Sequence, residues 1–538
     1  MKRILFKHQL FVSLLVISPV IAFIIGHYLM NSEATGTLAT GFFNGEAPYY
    51  MANARQYLDH GFNSLFYANP FSYLEEGQRV YFQFQTYILA ILLKITPFDV
   101  GTIWVFFGLF FGIAFIVQAC RLFCLLELDR KYLLYVILLF AWGGGGHAIL
   151  GFSSEFFTSF NFLEGIRQFE KFEIAEGWWM HSVGRNFLMP NYIYYHFLVM
   201  TGIIFIVNRN NRALILLCFV LSLSHPFVGA QFISSVVVWR IFDKFYLKNN
   251  ECNYFSLIPY LIILLFHVGY YFKFLHISSE HAAQEAQWAV SAETLYENWA
   301  MRAINFIPSY IFVFGLFLYQ IRSPILFLRF FQSPVNRFLF AFGSISFILA
   351  NHEFLMKPIQ PIHFTHGMVW VPFFLLGITS VIQVLKAVKS DSFQKRAFGI
   401  CFCLLFISDN LTWIAKRAYQ THKGNSQTEI RLTHSQDEVI NFINEKNIDN
   451  KLFFVSDRNL GYHLAVYTSS RVYASHNIIT PNSNKRRLEQ QEFIKSGLMP
   501  GHIKERVVYL IREHDMFSDA EGEILFSNKK YEVLKMIN

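Results

Sequence analysis

Long apolar stretches recur along this chain, at 9–30, 101–119, 132–151, 191–208, 213–242, 255–275, 303–320, 336–351, 366–387 and 397–415. Most come near the roughly 20 residues an α-helix needs to cross the hydrocarbon core of a bilayer. The pattern predicts an α-helical polytopic membrane protein with about 10–13 transmembrane helices. The stretch at 213–242 is long enough for two short helices broken near His225-Pro226, since proline is tolerated as a break inside a membrane helix. A further apolar helix at 81–97 contains Lys94 and ends at Pro97, so whether it crosses stays open.

After residue 415 the pattern changes. Short strand-like runs at Leu452–Val455, Val472–Ala474, Val507–Ile511 and Ile524–Phe526 alternate with helical spacing at Gln436–Asn444, Leu460–Tyr467 and Lys485–Lys495. Such alternation predicts a soluble α/β domain over 416–538, with a closing hairpin near Ser527-Asn528-Lys529. Residues 1–415 then form the membrane domain. Its longer loops, 31–80, 152–190, 276–301 and 352–365, carry the aromatic and acidic residues between spans.

Composition agrees with the pattern. Of 538 residues, 54% are hydrophobic and 15% charged, against about a quarter charged in a soluble domain. A soluble enzyme, a disordered chain and a single-pass receptor are excluded. The net charge of +8 follows from basic loops on the cytoplasmic side rather than from affinity for nucleic acid. Placing the basic connections inside puts the N-terminus in the cytoplasm, as an uncleaved first helix, and the long loops and tail outside. The six cysteines lie in or beside apolar runs without zinc-site spacing, so no disulfide framework and no metal site is expected from them.

The first long loop is the most informative. It reads Gly41-Phe42-Phe43-Asn44-Gly45-Glu46-Ala47-Pro48-Tyr49-Tyr50 and continues through Ala54-Arg55 to Asp59. Pro48 suits the first turn of a helix, Tyr50, Ala54 and Tyr57 then share a face, and Gly61 is a stop. Glu46 precedes that helix, where the partial positive charge of the helix end favours an ionised carboxylate. A carboxylate held there either supports the helix end or serves as a base toward an acceptor hydroxyl.

Phe43 to Tyr50 followed by Ala54-Arg55 resembles the first external loop of the GT-C class of integral-membrane glycosyltransferases, in which an acidic residue precedes a tyrosine-rich helix. Asp457 to Gly461, Ala465, Tyr467-Thr468, Arg471, Tyr473, His476 and Thr480-Pro481-Asn482 resemble the soluble end domains of bacterial members. Ser224-His225-Pro226, Pro361 to Gly367 and Ser408-Asp409-Asn410 have the look of the same proteins. The resemblance implies sugar transfer from a polyprenyl-phosphate carrier to a glycan, lipid or protein acceptor at the outer face of a bacterial inner membrane. Glu46 is the implied base. Many members place two adjacent acids in the first loop, whereas Ala47 follows Glu46 here, so metal-independent chemistry with no cofactor is favoured; a second acid stays open from the loops with Glu164, Glu170, Glu173 and Glu176 or with Glu280, Glu285, Glu293 and Glu297.

The departing lipid phosphate needs positive charge. Lys357, His363 and His366 are the first candidates, with Arg55 and Arg185 second, and Tyr50 and Asp59 complete the expected substrate-binding set. His363-x-x-His366 also reads as a histidine pair bonded within its loop. Two other classes stay open: a flippase or transporter of lipid or solute, and a non-catalytic assembly protein. Ionisable residues inside the spans favour transport, and the sequence shows few, mainly Lys94 and His267.

Overall fold

The computed structural model describes residues 2–29, 36–245 apart from 76, 145, 170 and 172–182, then 254–293, 309–310, 323–378 apart from 357–358, 382, 386, 391–422, and 431–537 apart from 517 and 519. The expected span at 303–320 falls almost wholly outside these residues, as do Trp178-Trp179. The protein is a helical polytopic membrane protein with a C-terminal α/β region. Among the described residues, five helices are long and apolar enough to cross a membrane: Lys7–Leu29, Val100–Leu125, Pro190–Val207, Phe255–Ile277 and Phe393–Tyr419. Each overlaps an expected span. Large apolar side chains remain exposed along them, Phe255 at 80% and Leu265 at 71%, as expected of surfaces solvated by acyl chains.

The chain forms two compact units. The first comprises Met1–Phe23, Gly108–Val268 and Ser291–Tyr419. Its expected breaks have local causes. The 213–242 stretch is two helices, Asn211–Ser222 and Pro226–Phe245. His225 Nδ1 accepts from the Val228 N–H at 3.3 Å, so it caps the second helix. The 132–151 stretch breaks after Trp142, where Gly144 takes φ +154°, a conformation that favours glycine. Buried indoles close the interior: Trp142 donates to the Val16 carbonyl at 2.8 Å and Trp370 to that of Phe140 at 2.9 Å. Arg337 and Asp243 form a buried two-point ion pair (2.6 and 2.9 Å) between Pro334–Ala350 and Pro226–Phe245.

The second unit comprises Ile24–Phe107, Gly269–Val290 and Gln420–Asn538, so the first loop and the tail share one unit. Strand β1 (Thr37–Ala39) pairs antiparallel with β2 (Arg431–Thr433), a pairing of segments too short and too far apart to be seen in the sequence. The tail sheet contains β3 (Leu452–Val455), β4 (Arg471–Val472), β5 (Val507–Glu513), β6 (Glu523–Ser527) and β7 (Tyr531–Ile537), in the order β4-β3-β5-β7-β6. β3 is parallel to β4 and β5, and β5, β7 and β6 are antiparallel. Phe453 and Val455 face one core with Val439 and Leu464, while Leu452 and Phe454 face the other with Phe493. Burial on both faces explains the unbroken apolar run of β3. Four strands and the closing hairpin match the expectation; β7 is the strand it lacked.

Candidate functional site

The helix Ala47–Asp59 organises the first loop. Its start is built by Asn44, whose Oδ1 accepts from the N–H groups of Glu46 (3.0 Å) and Ala47 (2.9 Å). Pro48 lies in the first turn, and Glu46 occupies the capping position without a side-chain cap bond. Tyr462, from the helix Arg458–Tyr467, fastens this turn: its hydroxyl donates to the Gly45 carbonyl at 2.7 Å and accepts from the Tyr49 N–H at 3.0 Å. Glu46 itself is half-buried. Burial raises the Tyr49 phenol above its usual range; a hydrogen bond to Asn53 opposes the rise and the charge of Glu46 adds to it.

Ala54 and Tyr57 are buried as the spacing predicted. Tyr50 points inward too, stacked on Trp104 with ring centroids 5.8 Å apart and an interplanar angle of 13°. It packs the helix against its own unit.

The far end of the same helix opens on a cavity of about 360 Å³. Arg55, Asp59 and His60 line one side, Asn69, Ser72 and Glu75 another, and Asp449, Asn450, Ser469 and Arg471 come from the tail. Arg55 Nε approaches Asp59 Oδ1 at 3.3 Å. Burial pushes the Asp59 carboxyl up to about 6, the Arg55 guanidinium opposing and Asp449 adding to the rise. Arg471 is held by the Tyr73 carbonyl (2.6 Å), Glu505 (2.9 Å) and the Asn450 carbonyl (2.9 Å). The lining thus offers guanidinium, carboxylate, amide and hydroxyl groups in one polar chamber, which suits a ligand rich in hydroxyls.

Glu46 does not line this cavity. Thirteen helical residues at 1.5 Å each put the two ends about 20 Å apart. Asp59 thus lies some distance from Glu46, as the helical spacing of the two acids in the sequence implies, and Arg55 shares the cavity with Asp59. The tail residues Asp449 and Arg471 complete the cavity; Arg471 stood in the resemblance, whereas nothing in the sequence pointed to Asp449.

The remaining expected residues belong to the first unit. Arg185, in the turn Gly184–Leu188, is 1% exposed. Its Nε donates to Asn410 Oδ1 at 2.6 Å, and its guanidinium lies 5.2 Å from the Trp413 ring centroid. His366 Nε2 and His363 Nδ1 are 3.4 Å apart. His366 stacks on Tyr192 and His363 on Phe227. Desolvation pushes His363 down to about 4. Lys357 lies outside the described residues.

The spans hold ionisable groups beyond Lys94 and His267. Asp409 and Asn410 are buried in the helix Phe393–His422, with His147 Nδ1 3.8 Å from Asp409 Oδ2. Asn410 Nδ2 donates to the carbonyls of Trp142 and Gly143, each at 2.9 Å.

No known protein family matches the sequence, and no curated protein does. Among solved structures, the oligosaccharyltransferase of Archaeoglobus fulgidus in its apo form is similar over 93% of this chain and 70% of that one, at 11% identity and a TM-score of 0.39.

Proposed function

We propose that this protein is a membrane glycosyltransferase that moves a sugar from a polyprenyl-phosphate carrier to an acceptor at the outer face of the membrane. The observation that carries the reading is the first loop. The motif resembling the GT-C class, Phe43 to Arg55, folds as a turn leading into the helix Ala47–Asp59, with a half-buried carboxylate, Glu46, at the capping position. In this reading Glu46 accepts the proton of the acceptor hydroxyl as that oxygen attacks the anomeric carbon. The C1–O bond to the phosphate breaks and the lipid phosphate leaves as an anion. The orientation follows from it: N-terminus in the cytoplasm, first loop and 416–538 outside. The polar cavity at Arg55 and Asp59 holds a saccharide away from the reacting atoms, where remote contacts supply binding energy for positioning.

The test is mass spectrometry of surface glycans and lipid-linked intermediates in cells with and without the gene. Loss of a glycan together with accumulation of a lipid-linked sugar supports transfer. Unchanged glycans and intermediates would remove the reading.

One observation favours a second reading, transport of a lipid or solute. Ionisable groups buried among apolar helices, here His147, Arg185 and Asp409, usually mark a pathway. Under transport, Asp409→Asn stops movement of the carrier-linked substrate while Glu46→Gln leaves it intact.

A further inference from the structure

The C-terminal end of the span Phe255–Ile277 passes through a tight turn, Leu275–Ile277, into the helix Ser279–Glu293. His276 lies in the turn, His281 in the first turn of the helix, and Glu285 four residues on, which puts it on the same face as His281. One ring nitrogen of each histidine and one carboxylate oxygen of Glu285 lie within 4.8 Å of one another. His276 Nε2 bonds Glu285 Oε2, and the two imidazoles meet edge to face with centroids 5.4 Å apart. We propose that His276, His281 and Glu285 form a binding site for a divalent transition metal of the zinc type, outside the membrane and independent of the sugar-transfer reading.

Three features support it. The donor set is two imidazoles and one carboxylate, which suits Zn²⁺ better than Mg²⁺ or Ca²⁺. His281 is buried while His276 is exposed and Glu285 half-exposed, so three protein ligands sit beside an accessible side where water or a ligand can complete the shell. The buried ligand is also oriented from behind: Tyr81 Oη lies 3.2 Å from His281 Nδ1 and 3.3 Å from Gln284 Oε1. A hydroxyl bonded to a metal-binding imidazole fixes its ring and tautomer, as such outer partners do in metal sites. Bound metal would join the membrane helix to the helix that follows it.

The alternative is a plain His276–Glu285 ion pair. The full chain, purified in detergent and stripped with a chelator, is titrated with Co²⁺ alone and then with Zn²⁺ as competitor. The proposal expects saturable binding of one metal per chain, with the visible ligand-field bands of low-coordinate cobalt, bleached by Zn²⁺. Glu285→Gln and His276→Ala should abolish the bands. Tyr81→Phe should retain them but weaken affinity by about tenfold. Circular dichroism of each variant confirms folding. No saturable cobalt spectrum in the wild-type chain, or an unaltered one in folded Glu285→Gln and His276→Ala, would overturn the site and leave the ion pair.

Discussion

The hydroxyl of Tyr462 receives the backbone N–H of Tyr49 at 3.0 Å across 413 positions of chain, and passes its own proton to the Gly45 carbonyl at 2.7 Å. One phenol from the tail thus sets the turn that carries Glu46. Tyr462→Phe keeps the ring, which packs on Phe71 and His476, but leaves both backbone groups without this partner. A loss of about 1–3 kcal/mol is expected. Thermal unfolding of the purified chain checks it: the midpoint should fall, and sugar transfer should fall with it. An unchanged midpoint would show that the turn holds itself.

Asp59 gives the cavity a pH dependence. Its folded pKa, about 6, lies above the ordinary 3.8, so the folded state holds the proton more tightly than the unfolded one. The resulting stability is fully present below about pH 4 and is lost as pH rises through about 6. Asp59→Asn cannot titrate. The difference in stability, variant minus wild type, should therefore increase between pH 4 and 6 and then level off. Melting midpoints across that range measure it, and a flat difference would place Asp59 in an ordinary solvated setting.

The pair Arg337–Asp243 holds two apolar helices through two short bonds, and Arg337 Nη1 also donates to the carbonyls of Phe331 (2.7 Å) and Gln332 (2.8 Å). Removing the cation strands a buried carboxylate. Arg337→Met should cost about 3–5 kcal/mol, while Arg337→Met with Asp243→Leu should recover most of it. Folded yield and melting midpoint of the single and double variants decide the matter. A double variant no better than the single one would mean that the bonds to the two carbonyls carry the stability.

Much of this architecture was legible in the sequence, for reasons that particular residues show. Leu452 to Val455 announced a strand because nothing polar interrupts it. His225-Pro226 announced a break because proline cannot supply the helical N–H. Glu46 and Pro48 marked a helix start from local chemistry alone. What stayed hidden depends on partners distant along the chain. No local pattern links Thr37 to Thr433, Asp449 to the cavity at Asp59, or Tyr462 to Gly45. Arg185 stood in the sequence as a candidate phosphate contact; its burial against Asn410 belongs to the packing of helices. No local pattern groups His276 with His281 and Glu285, since their convergence depends on the tight turn at Leu275–Ile277.

Sugar transfer by this protein depends, in the proposed reading, on the carboxylate of Glu46, and complementation isolates its part. Cells lacking the gene are supplied with the wild-type chain or with Glu46→Gln, matched for the amount of protein in the membrane, and their glycans and lipid-linked sugars are quantified by mass spectrometry. Glu46→Gln should lower transfer by about 10²–10⁴-fold, so that the carrier-linked sugar accumulates as it does without the gene. Wild-type glycan and carrier levels in the Glu46→Gln cells would contradict it.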